Sequence, residues 1–241
     1  MAVDFRRDGI RSSLLWDVLR AVVSARVAAT GRDALDIVDV GGGTGGLAVP
    51  FAALGHNVTV VDPSPDALAA AQRRAAEAGA RLTSVQGEAA SLDGVVGPGA
   101  ADLVICHNVL EYVEEPADAM SAIARVLRPS ATVSVLASNA VAAVLHRALA
   151  GRFAEARALL ADTKACRPRR FTLPELTALV EQAGLRAGEA QGLRIFGGLV
   201  PGALLEGDAA AAEALRALDE AAASIPPLRD IAAQLHVLGH R

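Results

Sequence analysis

Short apolar runs alternate with stretches of helical periodicity along the first 138 residues of the chain. The apolar runs predict β-strands at 34–40, 57–62, 81–86, 101–108 and 131–138. The stretches before and between them predict helices at 11–29, 46–54, 64–79 and 115–129, the last of these ended by Pro129. This regular alternation is typical of an α/β fold with a doubly wound, mainly parallel sheet.

The alternation is interrupted after the fifth predicted strand, where residues 139–170 are helical and basic. The later predicted elements are a helix at 172–183 with Thr172 as its N-cap, a strand near 185–195, an alanine-rich helix at 206–223 and a strand at 231–241. We therefore expect seven strands, with the last one at an edge of the sheet. Inserted helices in this position often cover a site at the carboxyl ends of the strands, so 139–170 is a candidate lid.

The first predicted strand ends at a glycine-rich string, VDVGGGTGG, in which Gly41, Gly43 and Gly46 have the spacing G-x-G-x-x-G. Asp62 ends the second strand sixteen residues after Gly46, where it can accept hydrogen bonds from ribose hydroxyls. Glycines at these points allow a tight turn and close approach of a ligand to the backbone. A dinucleotide, S-adenosylmethionine and a tight turn without ligand all remain possible from this pattern alone.

Asp39 distinguishes between these ligands because it lies two residues before the first glycine of the loop. A carboxylate there would repel a pyrophosphate, but it suits a ligand with a sulfonium and an ammonium group. The string from Asp39 through Gly41, Gly42 and Gly43 to Gly45 resembles the first motif of the class I S-adenosylmethionine-dependent methyltransferases. An NAD(P)-linked oxidoreductase and a donor-binding protein without catalysis are the competing interpretations.

Further segments resemble the later motifs of the same methyltransferases. GEAASLD (87–93) is similar to the loop that holds the adenine ring, with Ala90 and Ser91 near its amino group. VLRPSATVSV (126–135) resembles a conserved corner, with Ser130 and Ala131 in place of two glycines. The resemblance implies S-adenosylmethionine as the cofactor and S-adenosylhomocysteine as its product.

Most of the chain also resembles the bacterial tRNA 5-carboxymethoxyuridine methyltransferases, which esterify a carboxylate on the wobble uridine. GIRSSLLWDVL places Arg11 at a donor-contacting position of that family, and ICHNVLEYVEEP places His107 at another and has Tyr112 in place of the family's tryptophan. Tyr112 is a candidate to line the acceptor pocket. SNAVAAVLHRALAGRF (138–153) and GLRIF (192–196) match further family segments. The resemblance implies that the tRNA anticodon loop is the partner. An expected arginine near the last strand is replaced at Ala232–Ala233.

Charge is distributed unevenly along the chain of 241 residues. The net charge of −4 argues against a protein that binds nucleic acid over its whole surface. Residues 146–170, however, hold seven basic and two acidic residues, a local charge of +5. This segment is either a docking surface for a phosphate backbone or a solvated helical face. Phe153 and Phe171 are its candidate stacking aromatics.

A carboxylate acceptor is already ionised at neutral pH and needs orientation rather than a base. Arginine holds a carboxylate in a fixed geometry, so Arg194 is the leading candidate for this role, followed by Arg170 and Arg169. An exposed arginine on an edge strand is the alternative for Arg194, and a packing aromatic is the alternative for Tyr112. His107 is either a general base or a donor-contacting residue. A small-molecule O- or N-methyltransferase with the same donor site is the second functional hypothesis.

Other features of the sequence limit the remaining classes. Two cysteines, Cys106 and Cys166, predict neither a disulfide framework nor a metal site. No signal peptide or membrane span is evident, so we expect a cytoplasmic protein. We expect one methyltransferase domain over 1–241, with a donor-binding core (30–138), the lid (139–170), and the rest of the sheet with a cap (171–241).

Overall fold

The computed structural model describes residues 13–161, 168–201 and 204–241, which contain one sheet of seven strands with helices on both faces. The strands are β1 (Asp36–Val40), β2 (Asn57–Asp62), β3 (Thr83–Gln86), β4 (Ala101–His107), β5 (Leu127–Ser138), β6 (Arg186–Leu193) and β7 (Gln234–His240). The α-helices are α1 (Ser13–Thr30), α2 (Ala48–Ala53), α3 (Pro65–Glu77), α4 (Leu92–Val96), α5 (Pro116–Val126), α6 (Ala140–Leu149), α7 (Phe153–Ala161), α8 (Leu173–Gln182) and α9 (Ala209–Ala222).

The strand order is β3-β2-β1-β4-β5-β7-β6. The first five strands in this order are parallel, and β7 runs antiparallel to both of its neighbours. The predicted seven-stranded, mostly parallel α/β fold is therefore confirmed. The prediction that the last strand lies at an edge is wrong, because β6 is the edge strand and β7 is inserted between β5 and β6.

The boundary between α5 and β5 also differs from the prediction. The helix ends at Val126 and the strand begins at Leu127, so Pro129 lies inside the strand and does not end a helix. Proline disfavours helical backbone at the preceding residue, which explains why the chain is already extended there. The register with β4 shifts between Ala101 and Leu103, and this irregularity accommodates the proline.

Two apolar layers enclose the sheet. Leu19 of α1 and Phe51 of α2 pack with Ile37 on one face, while Met120 of α5 and Leu176 of α8 pack on the other face. Central strands that are covered on both sides read as continuous apolar runs, which is why β1 and β4 were recognisable. No helix in the described part of the chain is long and apolar enough to cross a membrane.

A buried carboxylate joins four elements at the amino ends of the strands. Asp102 is 1% exposed and accepts hydrogen bonds from Arg26 of α1, from Arg32, from Arg128 of β5 and from the backbone N–H of Asp36. Although burial alone raises the pKa of Asp102, these donors hold it below its ordinary value. This network holds the amino ends of the strands together, and the candidate site lies at their carboxyl ends.

Candidate functional site

The strand order reverses between β1 and β4, so the carboxyl ends of these two strands enclose a crevice. Val40 is paired with Cys106, so Gly41, which follows β1, lies next to His107, the last residue of β4. In open α/β sheets this switch point is where ligands bind. Most of the predicted cofactor-binding residues lie around this crevice.

The glycine loop, residues 41–46, forms a tight turn above the end of β1. Gly41 and Gly43 have φ values of 63° and 53°, a conformation that favours glycine. Asp62 orders the turn, because its Oδ2 accepts the N–H of Gly43 at 2.9 Å and its Oδ1 accepts the N–H of Ser64 at 2.9 Å. Each carboxylate oxygen can accept a second hydrogen bond, so Asp62 can still receive ligand hydroxyls.

Asp39 lies directly beneath this loop and is 4% exposed. A Cβ atom added at Gly42 would lie 2.6 Å from the Oδ2 atom of Asp39, so only glycine leaves room for the carboxylate. Burial, and then the negative charge of Asp62, raise the pKa of Asp39 to about 7. A buried acid that is this costly to ionise is suited to a cationic ligand, which would restore its charge.

Two predicted adenine-loop residues, Ala90 and Ser91, lie in a 3-10 turn (Ala89–Ser91) that follows β3. Both are exposed on the same edge of the sheet as the glycine loop. Neither this turn nor α4 was predicted from the sequence. Arg11, the remaining predicted donor contact, lies outside the described residues.

His107 forms hydrogen-bonding contacts with side chains of the neighbouring strands. Its Nε2 lies 2.7 Å from Oγ of Ser134 on β5, and the same oxygen lies 2.7 Å from Nε2 of His236 on β7. Burial and the neighbouring His236 lower the pKa of His107 well below its ordinary value. His107 is therefore neutral at physiological pH, and its Nε2 already forms a hydrogen bond with Ser134.

A cationic cavity of about 220 Å³, here called the arginine pocket, adjoins the crevice. It is lined by His146, Arg147, Arg170 and Arg194, together with Ser138, Asn139, Ala142, Ala143, Ala233 and Gln234. Burial, followed by the charges of the three arginines, lowers the pKa of His146. The pocket thus concentrates positive charge around a neutral imidazole and is suited to an anionic group.

The backbone of the arginine pocket is irregular where its side chains converge. Arg194 follows the end of β6 and has a φ of 58°, which is uncommon for a residue with a side chain and is frequent at functional sites. The alternative of an arginine on an exposed edge strand is wrong, because Arg194 lies beyond β6 and lines the pocket. Gln234 of the pocket wall donates to Asn108, the residue after His107, at 2.6 Å. The pocket is therefore connected to the crevice.

Other predicted acceptor residues occupy different places. Tyr112 is 76% exposed, so it is not a packing residue, and it lines a second cavity with Glu111, Glu114 and others. Arg169 donates its backbone N–H to the carbonyl of Glu111 and is not among the residues that line the arginine pocket. Phe153 is 70% exposed, whereas Phe171 is buried and is wrong as a stacking candidate.

Four site residues were not predicted in the places that the structure gives them. His146 and Arg147, known from the sequence only as part of the segment 146–170, face the arginine pocket from α6. Ser134 and His236, which had no predicted role, support His107. Helical spacing could have found the first two, because Asn139, Ala143, His146 and Arg147 are three or four residues apart and share one helix face. Ser134 and His236 have no local signal because their contact joins separate strands.

Comparison with known proteins places these features among methyltransferases. The family described as "Methyltransferase domain" matches residues 38–135. The tRNA 5-carboxymethoxyuridine methyltransferase of Escherichia coli (strain K12) is 29% identical over 196 residues, which are 78% of this chain and 72% of the relative. The ubiquinone biosynthesis O-methyltransferase of Xanthomonas campestris pv. campestris (strain B100) is 32% identical over 176 residues, 71% of this chain and 70% of that protein.

A solved structure shares the fold over the full chain. Magnesium protoporphyrin IX methyltransferase from Synechocystis PCC 6803, determined with bound S-adenosylhomocysteine, aligns with a TM-score of 0.61 at 18% identity. The alignment covers 100% of this chain and 89% of that structure. At this identity the similarity supports the fold alone.

Proposed function

Because this chain belongs to the class I S-adenosylmethionine-dependent methyltransferases, we propose that it methylates the carboxylate of 5-carboxymethoxyuridine at the wobble position of tRNA. The observation that carries this proposal is the arginine pocket beside the crevice. Its volume of about 220 Å³ is smaller than a typical ligand pocket, so it fits a charged arm of a substrate rather than a whole nucleoside. The 29% identity to the tRNA methyltransferase adds support.

S-adenosylmethionine is the methyl donor, and the residues around the crevice fit it. Its sulfonium supplies a methyl group that is open to nucleophilic attack. Gly42 leaves room for the buried carboxylate of Asp39, this carboxylate favours a cationic group, and Asp62 retains lone pairs for hydroxyls. We propose these residues, with Gly41, Gly43, Ala90, Ser91 and His107, as the donor site.

The acceptor carboxylate requires no base, because its ordinary pKa of about 4 keeps it ionised at neutral pH. It requires a fixed orientation and removal of its hydration shell. Arg194 and Arg170 reach the pocket from two different segments and would hold the carboxylate with charge-assisted hydrogen bonds. The nearby Arg147 also lines the pocket, and its Nε lies 3.4 Å from Oε2 of Glu155.

The surface next to the pocket supports a tRNA partner. Arg152, Phe153 and Arg157 are exposed on or beside α7, and an aromatic ring between two cations can stack on a base while the arginines meet phosphates. Lys164 and Arg167, which contribute to the local positive charge, lie outside the described residues. If this surface docks tRNA, KM for tRNA should rise steeply with salt concentration.

Two measurements test the assignment. In a host that makes the modified uridine, a deletion strain should lose the wobble methyl ester when its tRNA nucleosides are analysed by mass spectrometry; unchanged levels would exclude the tRNA substrate. With purified protein, Arg194→Ala should lower kcat/KM for the acceptor by about tenfold to a hundredfold, as expected for a lost charged hydrogen bond. The exposed Arg73→Ala is the control, and binding of S-adenosylhomocysteine should be unchanged in both variants.

A small-molecule O-methyltransferase is the second candidate, favoured by the 32% identity to the ubiquinone biosynthesis enzyme. A hydroxyl acceptor would need a base, and His146 is a neutral imidazole in the same pocket. His146→Asn separates the two functions. It should abolish methylation of a hydroxyl acceptor, whereas carboxylate methylation should retain most of its kcat.

A further inference from the structure

A line of polar side chains crosses the sheet beside the crevice. It runs from His107 on β4 through Ser134 on β5 to His236 on β7, with 2.7 Å at each contact. Gln191 on β6 is the direct partner of His236 in the β6–β7 ladder, so the two side chains lie on the same face of the sheet. Ser134 and His236 are 0% and 1% exposed, so water does not compete for these hydrogen bonds.

The hydroxyl of Ser134 links two imidazoles but carries a single proton. When it donates its hydrogen bond to one ring nitrogen, it accepts a hydrogen bond from the N–H of the other ring. The two histidines are therefore coupled, and the tautomer of one determines the tautomer of the other. Burial lowers the pKa of His236 to about 4, so both rings are neutral at physiological pH.

The surroundings of His236 indicate which groups donate and which accept in these hydrogen bonds. Among the described residues, Nδ1 of His236 and Oε1 of Gln191 are both buried without a hydrogen-bond partner. Because Gln191 and His236 are cross-strand neighbours, an Nδ1–H on His236 can pair with this oxygen after a small side-chain rotation. The opposite tautomer would leave two buried acceptors that cannot satisfy each other, so both desolvation costs would be uncompensated. Nε2 of His236 is then the acceptor, so Ser134 donates to it and accepts from His107.

We propose that Ser134 and His236 are positioning residues that hold His107 as its Nε2–H tautomer and leave Nδ1 as a hydrogen-bond acceptor facing the crevice. His107 is next to Gly41 at the switch point, where the amino and hydroxyl groups of the methyl donor provide suitable hydrogens. This role applies whichever acceptor is methylated, so it does not depend on the tRNA assignment.

The tautomer can be measured directly in the ligand-free protein. Long-range proton–nitrogen NMR spectra of histidine-labelled protein distinguish Nε2–H from Nδ1–H, and the chain has only five histidines. We expect His107 as Nε2–H in the wild type. In Ser134→Ala the preference should become a mixture, and the Kd for S-adenosylhomocysteine should rise by about twofold to tenfold, the range for one lost hydrogen bond.

Two further variants separate positioning from packing. Ser134→Thr keeps the hydroxyl but adds a methyl group to a buried position, so it should destabilise the fold yet preserve the tautomer and the affinity. Thr132→Val is the matched control, because Thr132 contacts His240 across the same two strands at 3.2 Å but lies farther from the crevice. The proposal is overturned if wild-type His107 is Nδ1–H, if Ser134→Ala leaves its tautomer unchanged, or if Thr132→Val weakens binding equally.

Discussion

Replacing Asp39 by asparagine should stabilise the ligand-free protein and weaken its binding of S-adenosylhomocysteine. Asp39 is 4% exposed beneath the glycine loop, and burial followed by the charge of Asp62 raises its pKa from 3.8 to about 7. The folded protein therefore keeps the Asp39 proton to a higher pH than the unfolded chain does. A carboxylate in this place opposes folding at neutral pH, and its benefit appears only when a cation is bound.

The magnitude follows from the shift in pKa. Stability from the Asp39 proton is fully present below the unfolded pKa of 3.8 and is lost as the pH rises through the folded pKa of about 7. The whole shift corresponds to about 4 kcal/mol. Roughly 2 kcal/mol of this is lost between about pH 5.5 and pH 7.5. Asparagine has no such proton, so the stability of Asp39→Asn relative to wild type should increase by that amount over the interval.

The assay is urea unfolding of the ligand-free proteins at both pH values, with the exposed Asp17→Asn as the control. Calorimetry should then show weaker binding of S-adenosylhomocysteine to Asp39→Asn, because its ammonium group loses an anionic partner. Wild-type affinity should also rise from about pH 5.5 to pH 7.5, since binding favours the ionised carboxylate. An Asp39→Asn protein that is less stable than wild type by an equal amount at both pH values would refute the reasoning.

Three other substitutions test the contacts that hold the sheet and the glycine loop in place. Asp102→Asn should lower the free energy of unfolding in urea by about 3 kcal/mol, because the buried partner of three arginines loses its charge, whereas Asp93→Asn at an exposed ion pair should change it far less. Gly42→Ala should raise the Kd for S-adenosylhomocysteine more than tenfold because its Cβ would collide with Asp39, while at Gly46 an added Cβ meets nothing within 4 Å and the Kd should be nearly unchanged. Asn139→Ala should cost about 2 kcal/mol or more in urea unfolding, since a buried side chain loses contacts to three backbone groups.

The arrangement of the proposed donor site could be predicted because its information is local. Asp39, the glycine loop and Asp62 lie within 24 residues of sequence, and two adjacent parallel strands bring them together. Glycine spacing and a charged residue at a strand end are visible without knowledge of the remaining fold. The same pattern could not show that Asp62 also binds the backbone of Gly43 and Ser64, because this depends on the exact path of the turn.

The arginine pocket, which is the proposed acceptor site, could be predicted only in part because it is assembled from distant segments. Arg170 and Arg194 were named as candidates, but their convergence with His146 depends on where β6 and β7 lie in the sheet. The order of strands in a sheet depends on how distant segments pair, so β7 was misplaced although its sequence is more apolar than that of β6. The same limit applies to Phe153 and Phe171, of which only the structure shows which one is exposed.

The inserted strand β7 physically joins the two halves of the site. Just before it, the backbone of Ala233 donates to the carbonyl of Arg194 at 3.2 Å and accepts from the N–H of Asn139 at 3.1 Å. Gln234 then bonds to Asn108 at 2.6 Å, next to His107. An in-line methyl transfer requires its reacting atoms to be held within a few tenths of an ångström, and displacements of about 1 Å can cost a hundredfold in rate. Since one strand end contacts both Arg194 and the residue after β4, it would set the distance between the proposed acceptor and donor sites. Substitutions at Gln234 should therefore affect kcat more than the affinity for either substrate.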